Sequence, residues 1–91
     1  MAKAQQTELE KLAGLGPKSS AMLRQIGIHT AADLLAADPY HLYLQLKQTL
    51  PSTSLNMLYA IMGAQENRHW QEIKRERRLE ILLRLEELGI A

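Results

Sequence analysis

A tight glycine-rich turn near the N-terminus constrains the fold more than any other segment of the chain. Residues 14–17 read Gly-Leu-Gly-Pro and join a short apolar stretch to a second segment that closes at Gly27. The two glycines lack a Cβ atom, so two helices can approach each other closely at this turn. Pro17 suits the first turn of the following helix, where its missing N–H would have had no partner. The chain is therefore predicted to begin with two short helices joined by a sharp turn.

This pattern resembles a helix-hairpin-helix, a unit that commonly holds a nucleic-acid backbone. The unpaired N–H groups at the start of the second helix, with Lys18 beside them, are suited to receive a phosphate. The candidate nucleic-acid site on this interpretation comprises Gly14, Gly16, Lys18, Ser19 and Ser20. The alternative is that these residues only make the turn. The formal net charge of +1 favours this alternative, because proteins that bind DNA without sequence preference are normally strongly basic.

The composition favours a single helical domain. The chain has 91 residues, of which 46% are apolar, mostly Leu, Ala and Ile, with no Phe and one Trp. We expect a flexible tail over residues 1–6 and one domain over residues 7–91. The absence of cysteine excludes disulfides, thiol catalysis and cysteine-bound metal. No stretch approaches the roughly 20 apolar residues of a membrane span, and the N-terminus lacks an apolar signal core. We therefore expect a cytoplasmic protein without membrane contact.

Helix start and stop signals recur along the chain and predict an all-α fold of about six short helices, with a long C-terminal helix. The predicted spans are about 8–13, 17–26, a short helix from 31, 39–49, 55–65 and 70–88. Four residues of the N-capping type precede these helices: Thr7, Thr30, Asp38 and Ser54. In the short third helix, Leu34 and Leu35 are expected to point inward. No segment shows the alternation of a strand.

The end of the last predicted helix is unusually apolar. Its apolar residues cover far more than one stripe of the helix surface: Leu79, Ile81, Leu82, Leu83, Leu85 and Leu88. Either both sides of this helix are buried within one chain, or part of it packs on a protein partner or a second copy. On the second interpretation, the interface comprises Leu79, Leu82, Leu83, Leu85 and Leu88.

No arrangement of side chains typical of catalysis or metal binding is present in the sequence. The chain has no Gly-x-Ser-x-Gly motif and no Walker loop, so we predict no enzyme activity, no cofactor and no small-molecule substrate. His29, His41 and His69 lack the spacing of metal ligands, and no metal site is predicted. The basic stretch at residues 68–78 is interleaved with glutamates, which indicates a solvated face of mixed ion pairs rather than a phosphate-binding surface.

An ordered set of motifs spans nearly the whole chain. It consists of Leu15-Gly16-Pro17-Lys18-Ser19, Leu23, Gly27-Ile28-His29-Thr30, Asp33-Leu34, Tyr43-Leu44-Gln45-Leu46-Lys47, Ser54-Leu55-Asn56-Met57-Leu58-Tyr59-Ala60, Gly63-Ala64 and Arg68-His69-Trp70. Together these residues resemble the C-terminal domain of the TfoX/Sxy competence regulators. The resemblance implies an all-α fold and a role in regulating bacterial DNA uptake, where the best-known members activate genes together with the cyclic-AMP receptor protein. Those members carry a separate N-terminal domain, whereas here the stretch that contains the glycine-rich turn begins at residue 12, so we expect a stand-alone domain.

Two functions of different kinds remain open. We expect a non-catalytic regulatory or adaptor domain, related to competence regulators, that contacts another protein or a second copy of itself through the apolar face of the last helix. The alternative is binding to the backbone of duplex DNA through residues 14–20. The balanced charge and the excess of apolar residues in the last helix favour protein contact.

Overall fold

The computed structural model describes Leu9, Leu12 and residues 15–89. Within these residues the chain forms five helices: α1 (Pro17–Gln25), α2 (Ala31–Ala36), α3 (Pro39–Thr49), α4 (Leu55–Glu66) and α5 (Trp70–Glu87). No strand occurs in this part of the chain, so the prediction of an all-α fold with a long last helix is confirmed. No helix in the same part is long and apolar enough to cross a membrane. The first predicted helix, its Thr7 cap and the tail expected over residues 1–6 lie outside the described residues, apart from Leu9 and Leu12.

α1 ends at a glycine, as the sequence predicts. Gly27 has a φ of 90°, a conformation that L side chains rarely adopt. Its N–H donates to the carbonyl oxygen of Arg24 at 3.1 Å, and the N–H of Ile28 donates to that of Leu23 at 3.0 Å. These two bonds form a Schellman motif, which satisfies carbonyl groups in the last turn of the helix.

The side chains of Thr30 and Asp38 cap the N-termini of α2 and α3, as predicted. Thr30 Oγ1 accepts a hydrogen bond from the Asp33 N–H at 3.0 Å, and Asp33 Oδ2 accepts one from the Thr30 N–H at 3.3 Å. Together these bonds form a capping box. Asp38 Oδ1 accepts the Tyr40 N–H at 2.9 Å, with a proline at the first helical position. Ser54 occupies the N-cap position of α4, but its side chain makes no capping hydrogen bond.

α4 is the central helix, and its residues 57–64 are all buried. It contributes to two clusters of buried side chains. The first cluster consists of Leu9, Leu15, Leu23, Leu34, Leu42, Leu46, Met57, Ala60, Ile61 and Ala64. The second cluster consists of Tyr43, Leu58, Tyr59, Met62, Ile73, Ile81 and Leu85. A helix that is apolar all round needs neighbours on every side, so α1, α2 and α3 cover one flank of α4 while α3 and α5 cover the other.

The turn between α4 and α5 is tight because Gly63 has no side chain. Asn67 follows α4 with a φ of 56°, and the N–H of Arg68 donates to the Gly63 carbonyl oxygen at 2.8 Å. A Cβ atom on Gly63 would lie 2.5 Å from the carbonyl oxygen of Arg68 and 3.3 Å from the backbone nitrogen of Trp70. The glycine therefore allows the start of α5 to fold back against α4.

A glutamine on α4 holds the end of α2. Gln65 Nε2 donates to the carbonyl oxygens of Leu34 at 2.9 Å and of Ala37 at 2.8 Å. Leu34 is fully buried in the first cluster. The expectation that Leu35 also points inward is wrong, since its relative exposure is 53%. Successive residues on a helix are rotated by about 100°, so a helix of six residues that packs on one side leaves the neighbour of Leu34 in solvent.

Candidate functional site

The start of α1 carries the described residues of the predicted nucleic-acid site. Gly16 is the exposed N-cap residue, and no side-chain hydrogen bond caps the helix. Lys18 is exposed, and Ser19 is half-buried beside it. Ser20 is fully buried instead, and its Oγ has no hydrogen-bond partner among the described residues. Gly14 lies outside the described residues, so the described surface that a phosphate can reach here is formed by Gly16, Lys18 and Ser19.

Lys18 and Ser19 also border a groove of about 680 Å³. Its walls come from α1, the turn between α3 and α4, the start of α4, and Trp70. Met22, Met57 and Trp70 supply apolar surface, and Lys18 is the charged residue among the described residues of the lining. No pattern in the sequence predicts this groove, because its walls come from segments that are far apart in the chain.

The turn between α3 and α4 is fixed by hydrogen bonds from two side chains. Lys47 Nζ donates to the carbonyl oxygens of Pro51 at 3.3 Å and of Thr53 at 3.2 Å. Thr53 Oγ1 donates to the carbonyl oxygen of Leu50 at 2.7 Å. This wall of the groove therefore has a defined shape, and the ammonium group of Lys47 is bound to the protein's own backbone.

Arg68, which precedes α5, and Arg77, which lies within it, are bound to glutamates. Arg68 Nη2 lies 2.6 Å from Glu76 Oε2 and 3.3 Å from Glu72 Oε1, and Arg77 binds both carboxylate oxygens of Glu66. These hydrogen bonds lower the pKa of Glu66 and of Glu76, and they raise the pKa of Arg68 and of Arg77. The prediction of mixed ion pairs is confirmed for these residues.

The three histidines do not share a site. His69 is the N-cap of α5, where its Nδ1 accepts a backbone N–H of the first turn at 3.1 Å. Its ring stacks on that of Trp70, with 5.9 Å between the ring centroids. The backbone N–H of His29 donates to the Asp33 carboxylate at 3.3 Å, and His41 is exposed on α3. Among the described residues, no group of three or more His, Cys, Asp or Glu side chains could hold a metal ion.

The predicted interface residues of α5 divide between the core and the surface. Leu85 belongs to the second cluster and is 2% exposed, so the structure places it in the core. Leu79 and Leu83 are 71% and 55% exposed, and Leu82 is partly buried. Leu88 is 46% exposed and lines a small pocket beside the start of α3.

Leu79 and Leu83 lie on the side of α5 opposite to Ile81, which is fully buried. This follows from the helix period of about 3.6 residues per turn. Arg75 and Glu86 are exposed and lie on the same side as Leu79. We call the strip of this side formed by Arg75, Leu79, Leu82, Leu83 and Glu86 the outer face of α5.

The comparisons with known proteins agree with the resemblance seen in the sequence. The family model described as the TfoX C-terminal domain matches residues 5–85, which is nearly the whole chain. No curated protein and no solved structure gives a significant match. The matched family is one of regulatory domains and is not a known enzyme family.

Proposed function

Because the chain belongs to the TfoX C-terminal domain family, we propose that it is a regulatory domain of bacterial DNA uptake that acts by protein–protein contact. The contact surface is the outer face of α5, and the role is non-catalytic. The observation that carries the proposal is the exposure of Leu79 and Leu83, which lie one turn apart and are 71% and 55% exposed. Contiguous exposed apolar surface is a common feature of protein interaction sites.

The outer leucines contribute little to the fold of a single chain. α5 already supplies Ile73, Ile81 and Leu85 to the second cluster, where each is almost completely buried. Full burial of a leucine side chain contributes about 1.5–3 kcal/mol. At Leu79 and Leu83, most of this free energy is gained only when another surface covers them.

The charge distribution favours a protein partner over nucleic acid. Arg68 and Arg77 are bound to glutamates, and the chain has a formal net charge of only +1. Binding to a phosphate backbone depends on unpaired cations, because their contacts release the counterions that supply most of the affinity. An apolar strip on a helix, flanked by charges of both signs, is instead typical of packing against another helix.

Transcription of DNA-uptake genes in a bacterium that carries this gene tests the proposal. The variants Leu79→Glu and Leu83→Glu replace the natural copy, and a reporter measures transcription of a DNA-uptake gene. We expect transcription to fall several-fold, because a carboxylate on the outer face cannot be buried against an apolar partner. Leu35→Glu is the matched control, since Leu35 is a 53% exposed leucine on α2.

The control is expected to leave transcription unchanged. Circular dichroism and the Tm of the purified variants establish that all three proteins fold. Normal transcription with both outer-face variants, at normal protein levels, would contradict the proposal. An equal loss with Leu35→Glu would also contradict it, because the effect would then not belong to the outer face.

Binding to the DNA backbone through the start of α1 is the second candidate function. Gly16 is exposed, and a Cβ atom there would meet nothing within 4 Å. No side chain caps the first turn of α1, and Lys18 is exposed beside it. These features support an approach of a phosphate to the free N–H groups of this turn.

Titration of labelled duplex DNA, at low and at physiological salt, tests this second function. If the start of α1 binds phosphate, Lys18→Glu weakens binding to every sequence and reduces the salt dependence by about one counterion. Lys74→Glu is the matched control, because it reverses the charge of an exposed lysine on α5. Absence of binding even at low salt would exclude this function.

A further inference from the structure

Opposite charges flank the leucines on the outer face of α5 at equal spacing. Arg75 precedes Leu79 by four positions, and Glu86 follows Leu82 by four positions. With a rise of about 1.5 Å per residue, each charge lies about 6 Å along the axis from its nearer leucine. The separation between charge and leucine is therefore the same at both ends of the outer face, but the charge is positive at the N-terminal end and negative at the C-terminal end.

Arg75 and Glu86, the two charged residues of the outer face, form no ion pair with another described residue. Arg68 is bound to glutamates on the N-terminal half of α5, and Arg84 lies 3.6 Å from Glu87 near the end of the helix. The side chains of Arg75 and Glu86 are both exposed and accessible to a docking surface.

We infer that the partner of the outer face is a second copy of this chain, docked antiparallel, with Arg75 of each copy facing Glu86 of the other. This inference rests on the proposed function, since it names the partner of the same surface. A two-fold axis between residues 80 and 81 places Leu79 of each copy against Leu82 of the other and forms both charge pairs. Parallel docking would place like charges together at both ends, which is unfavourable.

The spacing of the four residues is that of a seam between two helices. Positions 75, 79, 82 and 86 are separated by four, three and four residues, which is the spacing of heptad contacts. Such spacing keeps the four side chains along one line of contact, and Leu83 adds apolar surface beside it. The line is only about 17 Å long, so the interface is small and the association is expected to be weak.

Sedimentation equilibrium of the purified chain, from low micromolar to near-millimolar concentration, tests the inference. We expect the average mass to rise from that of the monomer towards twice that value. Arg75→Glu and Glu86→Arg each turn two attractive pairs into repulsive ones, because of the two-fold symmetry, and each is expected to weaken dimerisation about tenfold. The double variant R75E/E86R restores opposite charges and is expected to restore dimerisation.

Both single variants are expected to fold. Arg75 is exposed, and an arginine at position 86 suits the negative end of the helix dipole. Lys74→Glu is the matched control, because Lys74 is the exposed neighbour of Arg75 but lies outside the outer face. It is expected to leave dimerisation unchanged.

A chain that stays monomeric over the whole concentration range overturns the inference. Dimerisation that survives both single reversals, or that the double variant fails to restore, also overturns it. The transcription test separates these failures from failure of the proposed function. Loss of transcription with Leu79→Glu, in a chain that never dimerises, shows that the outer face binds a different protein.

Discussion

The carbonyl oxygen of Arg68 lies so close to Gly63 that a Cβ atom on the glycine would be 2.5 Å from it. A hydrogen bond of 2.8 Å joins the same two residues, from the Arg68 N–H to the Gly63 carbonyl oxygen. Because the obstructing atom belongs to the backbone, it cannot move aside by a change of rotamer. The position of α5 on α4 therefore depends on the absence of a side chain at Gly63.

Replacement of Gly63 by alanine is expected to destabilise the domain, although alanine is the better helix former. Overpacking costs about 1–3 kcal/mol, whereas the gain in helix propensity is about 1 kcal/mol. From the middle of the overpacking range, we expect a net loss of about 1 kcal/mol in the free energy of unfolding, measured by urea denaturation. An alanine variant as stable as the natural protein would contradict the close contact.

Alanine substitutions at the N-cap residues Thr30 and Ser54 are expected to change the free energy of unfolding by different amounts. Thr30→Ala removes the capping bond to the Asp33 N–H and is expected to cost about 1 kcal/mol. Ser54→Ala is the matched control, because the Ser54 side chain makes no capping bond at the start of α4. Urea denaturation compares the two variants. Equal losses would show that the capping bond of Thr30 contributes nothing.

Removal of the Tyr59 hydroxyl is expected to stabilise the protein. Tyr59 is 1% exposed, and its hydroxyl has no hydrogen-bond partner among the described residues. Because a buried unpaired polar group costs about 1–3 kcal/mol, Tyr59→Phe should raise the free energy of unfolding by about 1 kcal/mol. Tyr40→Phe, at a half-buried tyrosine of α3, serves as the control. A less stable Y59F variant would indicate that the hydroxyl is hydrogen-bonded.

The ion pairs before and along α5 are expected to make stability sensitive to acid. Hydrogen bonds from Arg77 lower the pKa of Glu66, and those from Arg68 lower the pKa of Glu76. A carboxylate with a lowered pKa in the folded state stabilises the fold at pH values above its ordinary pKa. This contribution is lost as the pH falls through the lowered value. The free energy of unfolding should therefore decrease as the pH falls below the ordinary value of 4.5.

Urea denaturation at several pH values checks this dependence. In the Glu66→Gln variant, the side chain at position 66 does not titrate. The variant should therefore show a smaller decrease in the free energy of unfolding as the pH falls. Glu80→Gln is the control, because Glu80 forms no ion pair with a described residue. Identical slopes for Glu66→Gln and the natural protein would contradict the role of the Glu66 pair.

Two leucines of the last helix are expected to differ sharply in their tolerance of charge. Leu85 is 2% exposed in the second cluster, whereas Leu79 is 71% exposed. Leu85→Glu loses buried apolar contacts, which alone costs about 2–5 kcal/mol, and also places a carboxylate in the core. We expect this variant to be unfolded by circular dichroism and Leu79→Glu to fold normally. A folded Leu85→Glu protein would contradict the core position of Leu85.

Local signals in the sequence predict most helix boundaries of the described fold. The bonds of Thr30, Asp38 and Gly27 reach only residues within a few positions of each, so they can be read from neighbouring residues. The orientation of Leu35 could not be predicted in the same way. It depends on which side of α2 packs against the core, and that side is fixed by Leu34 and by the distant Gln65.

The candidate site could be predicted only in part, for a similar reason. The C-terminal half of α5 has apolar residues on all sides of the helix. Periodicity alone therefore does not separate Leu85 in the core from Leu79 and Leu83 on the surface. Contacts with the second cluster decide between them. The groove beside Lys18 depends on packing between α1 and the turn before α4, and no local signal encodes it.

Both clusters draw on α4, which gives Ile61 to the first and Tyr59 to the second. Neither cluster is complete without this helix, so the two clusters of described residues are not independent of each other. A recombination event or a proteolytic cut on either side of α4 would leave an apolar flank of the helix in water. We therefore expect a fragment that lacks α4 to lose both clusters.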